Sequence, residues 1–172
     1  MMDYKSNKGG GSKVSFERAI LDGYAIDGGL YVPKSIKKFS SKELLELKKL
    51  NYNQLSTEII NIFTENFISK DNLSSLVNKS YSSFREKEVV KISKIGDLKL
   101  LELFHGPTLA FKDVAMQLIG QMFEHVLRKK NLRATVIAAT SGDTGAAAMA
   151  AFKNSEMVDI YDSDISNIKG FV

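Results

Sequence analysis

Two short segments, "LFHGPTLAFKD" at 103–113 and "SGDTG" at 141–145, contain the residues with the most distinctive chemistry. In the first, Lys112 stands between Phe111 and Asp113 in a largely apolar stretch, although lysine is among the residues that proteins bury least often. An apolar pocket lowers the pKa of a lysine, because burial disfavours the charged ammonium. The resulting amine can form a Schiff base with a carbonyl cofactor such as pyridoxal phosphate. The other interpretation is a solvated lysine in the first turn of a helix, paired with Asp113.

The second segment consists of Ser141, Gly142, Asp143, Thr144 and Gly145, between a strand-like run and a helix-like run. Backbone N–H groups are free at the start of a helix, and glycines let a ligand approach the backbone. Ligands of open α/β sheets bind beyond the carboxyl ends of the strands. The segment therefore fits an anion or the polar edge of a cofactor, and equally a polar connection that caps a helix. It lacks the lysine and the glycine spacing of a P-loop.

His105 precedes a Gly-Pro pair and could act as a base or as a hydrogen-bonding residue at a strand end. The chain has no cysteine, which excludes disulfides, thiolate metal sites and a cysteine nucleophile. Asp27 and Asp143 have no second carboxylate close in sequence, so we expect no metal site.

Composition favours an ordinary globular protein: of 172 residues, 44% are apolar and 26% are charged. The net charge is +4, but the lysines are dispersed, and the basic run at 128–133 fits the carboxyl end of a helix. We therefore expect no nucleic-acid partner. Neither a signal peptide nor a membrane-spanning run is visible, and we expect a cytoplasmic protein.

The predicted secondary structure that would position these residues changes along the chain from mainly helices to strands alternating with helices. Capping signals and apolar periodicity predict helices at 15–22 and through most of 40–84, with a turn and a short extended segment between them. Further on, the pattern predicts a hairpin turning at Gly96-Asp97, a long helix at 111–130 and a strand at 133–140 buried on both faces. A helix of small residues and a strand at 158–160 follow. The predicted fold class is α/β, with a helical region followed by the start of a parallel-sheet domain.

Four separated segments together resemble one family. "VSFERAILDGYAIDGGLYVP", "SYSSFR", "LLELFHGPTLAFKDVAMQLIG" and "ATSGDTGAAAMAAF" occur in the order seen in threonine synthases, which are fold-type II, tryptophan-synthase-β-like pyridoxal phosphate enzymes. The resemblance extends from about Tyr4 to about Asp159. It implies domains at 1–85 (mainly helical, N-terminal) and 86–172 (the beginning of the catalytic α/β domain, incomplete).

The resemblance also implies roles. Lys112 would form the Schiff base with pyridoxal phosphate and shuttle protons, and the segment 141–145 would lie along the cofactor and the substrate. Asp143 would lie near the ring hydroxyl, and Ser141, Thr144 and His105 would bind the substrate. The implied reaction is that of a lyase, which converts O-phospho-L-homoserine and water to L-threonine and phosphate in threonine biosynthesis.

Two departures from the family pattern bear on these roles. Asn7 and Lys8 stand where the family usually has Thr and Arg, and lysine cannot reproduce the two-pronged hydrogen bonding of arginine. Family members are also more than twice as long, and their later half supplies the cofactor-phosphate loop. The alternative to a truncated enzyme is therefore a catalytically incomplete remnant that serves as a binding module. The sequence leaves the oligomeric state open.

Overall fold

A computed structural model describes residues 2–65, 67–140 and 142–162. Within these ranges the fold is mixed α/β with six helices and three two-stranded sheets, one of them parallel, which confirms the predicted fold class. The elements are β1 (Tyr4–Ser6), α1 (Phe16–Asp22), β2 (Tyr31–Pro33), α2 (Ser41–Leu47), α3 (Tyr52–Thr64), α4 (Lys70–Tyr81), β3 (Lys91–Ile95), β4 (Leu98–Glu102), α5 (Asp113–Lys130), β5 (Ala134–Ala138), α6 (Asp143–Phe152) and β6 (Val158–Asp162).

The chain divides into two compact units, of which the first ends at Ser75 and the second begins at Leu76. The assignment of 1–85 and 86–172 to two family domains stays a prediction. No helix in the described ranges is long and apolar enough to cross a membrane.

Helices of the first unit begin where local capping predicts. The Ser15 side chain caps α1, and Ser40 forms a reciprocal capping box with Glu43 at the start of α2. Asn51 and Gln54 form a second capping box at α3, which the sequence analysis did not predict. These side chains satisfy backbone N–H groups that the first turn of a helix leaves free.

An aromatic cluster packs the first unit around its amino-terminal strand, β1, which pairs antiparallel with β2. The ring of Tyr4 packs 6.2 Å from that of Phe16, which in turn lies 6.0 Å from Phe67. The Tyr4 hydroxyl donates to the Phe63 carbonyl at 2.7 Å. Buried Tyr4 therefore ties the strand to the end of α3.

In the second unit, β3 and β4 form the predicted antiparallel hairpin, in which Ile95 pairs with Leu98. Gly96 provides the positive φ, 59°, that the two-residue turn requires. The hairpin ends at Glu102, shortly before the segment that carries Lys112.

Strands β5 and β6 pair in parallel, with Ala134 opposite Val158, and α6 connects them. The prediction that β5 is buried on both faces is wrong for the described residues, because Ile137 is 71% exposed. Strand β5 pairs only with β6 in the described part of the chain, and α6 contacts both strands. Among the described residues, β5 therefore lies at the edge of a two-stranded sheet.

Candidate active site

The loop before α5 is wound around a buried carboxylate. Asp113, the first residue of α5, is fully buried. Its Oδ2 accepts a hydrogen bond from the Thr108 backbone N–H at 2.8 Å, and its Oδ1 accepts from the Thr108 hydroxyl at 2.9 Å. A Cβ on Gly106 would lie 2.4 Å from the Asp113 Cβ, so this position requires glycine. The "HGPT" sequence is thereby fixed to the start of α5.

The same loop contains a strained residue. Leu109 has φ 64°, a conformation that L-residues with a side chain rarely adopt. Its N–H donates to the Gly106 carbonyl at 3.2 Å. Strain of this kind persists only where the surroundings impose it, and it clusters at functional sites. Here the hydrogen bonds between Thr108 and Asp113 hold the loop in place.

Lys112 is the N-cap residue of α5, and its carbonyl accepts from the Met116 N–H at 2.9 Å. Its side chain is half-buried, with Nζ 4.7 Å from the centre of the Phe111 ring. The ion pair with Asp113, which the alternative interpretation proposed, does not form because the Asp113 carboxylate binds Thr108. Phe111 is 59% exposed, so the Lys112 amine lies beside a ring that faces solvent.

The predicted "SGDTG" segment begins α6. Ser141 lies outside the described residues. Gly142 is the exposed N-cap with φ 144°, and a Cβ there would meet nothing within 4 Å, so the approach to this backbone is clear. Asp143 is exposed, Thr144 is half-buried and Gly145 is buried.

A threonine outside the predicted segment stabilises this helix start. The Thr140 hydroxyl oxygen accepts from the backbone N–H groups of Gly142 at 3.3 Å and Gly145 at 3.0 Å. The sequence analysis missed Thr140. Its position directly before the segment, at the end of the predicted strand, was the available signal.

Packing of α5 against α6 places the starts of the two helices at one end of the second unit. The Gln117 side chain donates to the Ala147 carbonyl at 3.4 Å, and a Cβ on Gly120 would lie 3.0 Å from the Ala151 carbonyl oxygen. Gln117 contacts Ala147, and Gly120, further along α5, contacts Ala151, further along α6. The two helices therefore run parallel. Gln117 and Ala147 each lie about one turn beyond the first residue of their helix. Lys112 and Gly142 therefore stand at the same end of the pair.

His105 follows β4 and is held by a carboxylate. Its Nε2 lies 2.8 Å from Glu102 Oε2, and the Ser93 hydroxyl donates to the other oxygen of the same carboxylate. These hydrogen bonds, first that from Ser93 and then that with His105, lower the pKa of Glu102. The sequence analysis selected His105 but missed its two partners, Glu102 and Ser93.

The described residues contain no group of three or more His, Cys, Asp or Glu side chains that could hold a metal ion. The polar side chains near the start of α5 include the Lys112 amine, the His105 imidazole and the Thr108 hydroxyl, and the carboxylates of Glu102 and Asp113 bind the last two. This donor set suits a carbonyl compound and an anion.

Comparisons with known proteins give a consistent result. Residues 3–81 match the family described as "Threonine synthase N terminus". The threonine synthase of Schizosaccharomyces pombe is 39% identical over 170 residues, which cover 93% of this chain and 33% of the relative.

Solved structures agree. Pyridoxal phosphate-bound threonine synthase from Brucella melitensis matches with TM-score 0.91 and 39% identity, covering 94% of this chain and 35% of that one. The threonine synthase from yeast matches with TM-score 0.88 and 37% identity, covering 93% and 35%.

The described fold is thus the α/β fold of the corresponding part of these solved enzymes. The chain is homologous to the N-terminal portion of threonine synthases, and the resemblance found in the sequence is confirmed. It spans about a third of the length of the curated relatives that it matches.

Proposed function

We propose that this chain forms part of a pyridoxal phosphate-dependent threonine synthase, a lyase of threonine biosynthesis. Its substrates are O-phospho-L-homoserine and water, and its products are L-threonine and phosphate. The observation that carries the proposal is the placement of Lys112 at the start of α5, at the same end of the helix pair as Gly142. Homology to threonine synthases over 93% of the chain supports it.

The residues present fit the cofactor in the part of the site that this chain supplies. Lys112 offers a half-buried amine, and Gly142 offers an exposed backbone on which an added Cβ would meet no described atom beyond its chain neighbours within 4 Å. Lys112 would hold pyridoxal phosphate covalently. When bound, the cofactor supplies an electron sink for carbanions of an amino-acid substrate. The protein's contribution is to hold the amine in place, and buried Asp113 does this by fixing the loop before it.

Residues at the start of α6 would bind polar groups of the cofactor and the substrate. Asp143 is proposed to face the cofactor's ring hydroxyl, and Gly142, Thr144 and Gly145 to line the cofactor with Ser141. Ser141 and Thr144 would bind the substrate's carboxylate or phosphate. The Thr140 hydroxyl takes the Gly145 N–H of the first turn, and the positive end of the α6 dipole favours an anion. His105 would contact the substrate from the loop before α5.

Covalent labelling tests this proposal without requiring turnover. The chain is incubated with pyridoxal phosphate, reduced with borohydride, digested, and analysed by mass spectrometry. We expect the pyridoxyl label on Lys112, its loss in Lys112→Ala, and its retention in Lys129→Ala, a lysine in the last turn of the same helix. Equal labelling of several lysines, or undiminished labelling in Lys112→Ala, would contradict the proposal and favour the binding-module alternative.

Threonine formation is a separate readout. Release of phosphate from O-phospho-L-homoserine should accompany formation of threonine in equal amounts. We expect Lys112→Ala to abolish both, because the first turn of α5 contains no other lysine. Unchanged turnover in that variant would overturn the assignment of Lys112.

A further inference from the structure

The β3–β4 hairpin covers polar side chains and exposes apolar ones. Within its ten described strand residues, only Ser93 and Glu102 are partly covered. Ile95 and Leu98, by contrast, are 63% and 73% exposed. Proteins usually place apolar residues on the covered side. The groups that Ser93 and Glu102 contact should therefore explain why this polar pair is covered.

The pair contacts His105. Both oxygens of Glu102 act as acceptors: Oε1 from the Ser93 hydroxyl and Oε2 at 2.8 Å from His105 Nε2. A carboxylate that accepts at both oxygens is ionised, and the lowered pKa of Glu102 agrees with this. An ionised carboxylate has no proton to give, so Nε2 must be the donor. The neutral ring then carries its lone pair on Nδ1.

The ring is also fixed by its surroundings. The Glu102 and His105 side chains are each only 13% exposed. The Phe104 ring lies 4.7 Å from the imidazole, and the His105 carbonyl accepts from the Arg85 N–H at 2.8 Å. Rotation of the imidazole would break the hydrogen bond to Glu102. The covered Glu102 carboxylate would then keep only the hydrogen bond from Ser93, which costs free energy. The orientation is therefore set before any ligand binds.

We propose that Glu102, oriented by Ser93, is a positioning residue that locks His105 with hydrogen on Nε2, so that Nδ1 exchanges protons at the site around Lys112. His105 directly precedes Gly106, whose loop is bound to Asp113, and the histidine is thus fixed to the same loop as the lysine. When Nδ1 accepts a proton from a substrate oxygen, the ring becomes cationic and Glu102 balances its charge. The transfer of a proton from the substrate to Nδ1 rests on the proposed function. The assignment of the His105 tautomer does not depend on it.

Nitrogen-15 NMR of the histidine rings tests the lock directly. The chain has two histidines, so His125→Gln leaves His105 as the only ring signal. In the neutral ring we expect Nε2 to carry the proton and Nδ1 to show the shift of a bare ring nitrogen. In the cationic ring, Nδ1 should be the nitrogen that has gained the second proton. A neutral ring protonated on Nδ1, or an equal mixture, would overturn the inference.

Variants in the same background separate the lock from general folding. Glu102→Leu removes the acceptor and should give a mixture of tautomers with fast exchange of the ring proton. Ser93→Ala should weaken the lock less, and Glu88→Gln, an exposed glutamate before the hairpin, should leave it intact. Circular dichroism confirms that each variant folds. If Glu102→Leu unfolds the chain, Glu102→Ala is used, which also removes the acceptor, and an unchanged ring signal in a folded variant at this position contradicts the proposal.

Failures of the two proposals are distinguishable. A locked tautomer without a label on Lys112 would remove the proposed function and leave the positioning role of Glu102. A label on Lys112 with a mixed tautomer would remove only the positioning role.

Discussion

The helices of the two units begin in different ways. In the first unit, α1, α2 and α3 begin at Ser15, Ser40 and Asn51, and each side chain accepts a backbone N–H of its own first turn. In the second unit, α5 and α6 begin at Lys112 and Gly142, and neither N-cap makes a side-chain capping bond. The capped starts are structural, whereas the uncapped starts coincide with the proposed active site.

This difference shows two ways in which the start of a helix is ordered. In the first unit the ordering group is the side chain of the N-cap residue itself. At α5, order comes instead from Asp113, which holds the preceding loop through Thr108. At α6 it comes from Thr140, which accepts from Gly145 within the first turn. In both cases the group that stabilises the start of the helix is a side chain other than that of the N-cap residue.

Replacing Asp113 should have the largest effect. Asp113→Ala leaves the Thr108 N–H and hydroxyl without a partner in a covered site, and we expect a loss of about 3 kcal/mol in the free energy of unfolding. Urea denaturation followed by circular dichroism measures this loss. Asp143→Ala, which changes the exposed aspartate that begins α6, should cost less than about 0.5 kcal/mol. Equal losses would contradict the anchoring role of Asp113.

The start of α6 should be less sensitive. Thr140→Val keeps the shape of the side chain but removes the acceptor for Gly142 and Gly145. We expect a loss of about 1.5 kcal/mol in the free energy of unfolding, with faster hydrogen exchange at the Gly145 amide. Thr135→Val, an exposed substitution in β5, is the control. Unaltered exchange at Gly145 would show that Thr140 does not hold this turn.

Removing a local cap in the first unit should cost about 1 kcal/mol, the usual value for an N-cap serine. Ser40→Ala breaks the capping box with Glu43, and Ser41→Ala, one residue later, serves as the control. The measurement is again the free energy of unfolding in urea. Since α2 is remote in sequence from Lys112, labelling by pyridoxal phosphate should not change. Loss of the label in Ser40→Ala would mean that this cap is not purely structural.

The smallest expected effect is a pH dependence at the same cap. Hydrogen bonds from Lys37 and then from Ser40 lower the pKa of Glu43 from 4.5 to about 2. A carboxylate whose pKa is lower in the folded state stabilises the fold above its unfolded pKa, and the contribution is lost as the pH falls. The urea midpoint of the wild type should therefore exceed that of Glu43→Gln at pH near 6, and the difference should vanish as the pH falls towards 2. A constant difference would contradict this account.

Local patterns identified much of the fold. Ser15, Ser40 with Glu43, and the Gly96-Asp97 turn act on residues within a few positions of themselves, so their geometry follows from spacing alone. The choice of Lys112 and the segment 141–145 came from the family resemblance and from residue type, and their roles stay predictions. The burial of β5 was predicted wrongly, because strand composition does not state how many neighbours a strand will have.

The sequence by itself determined where α1 and α2 begin, where the hairpin turns, and which family the chain resembles. Only the tertiary structure decided that Asp113 turns inward to Thr108, that Thr140 holds the start of α6, and that Ser93 and Glu102 bind His105. The physical reason is range. Caps and turns depend on neighbours along the chain, whereas a covered carboxylate binds the donors that the folded backbone brings within hydrogen-bonding distance. For Asp113 these donors belong to Thr108, and they fix the loop that carries the proposed catalytic lysine.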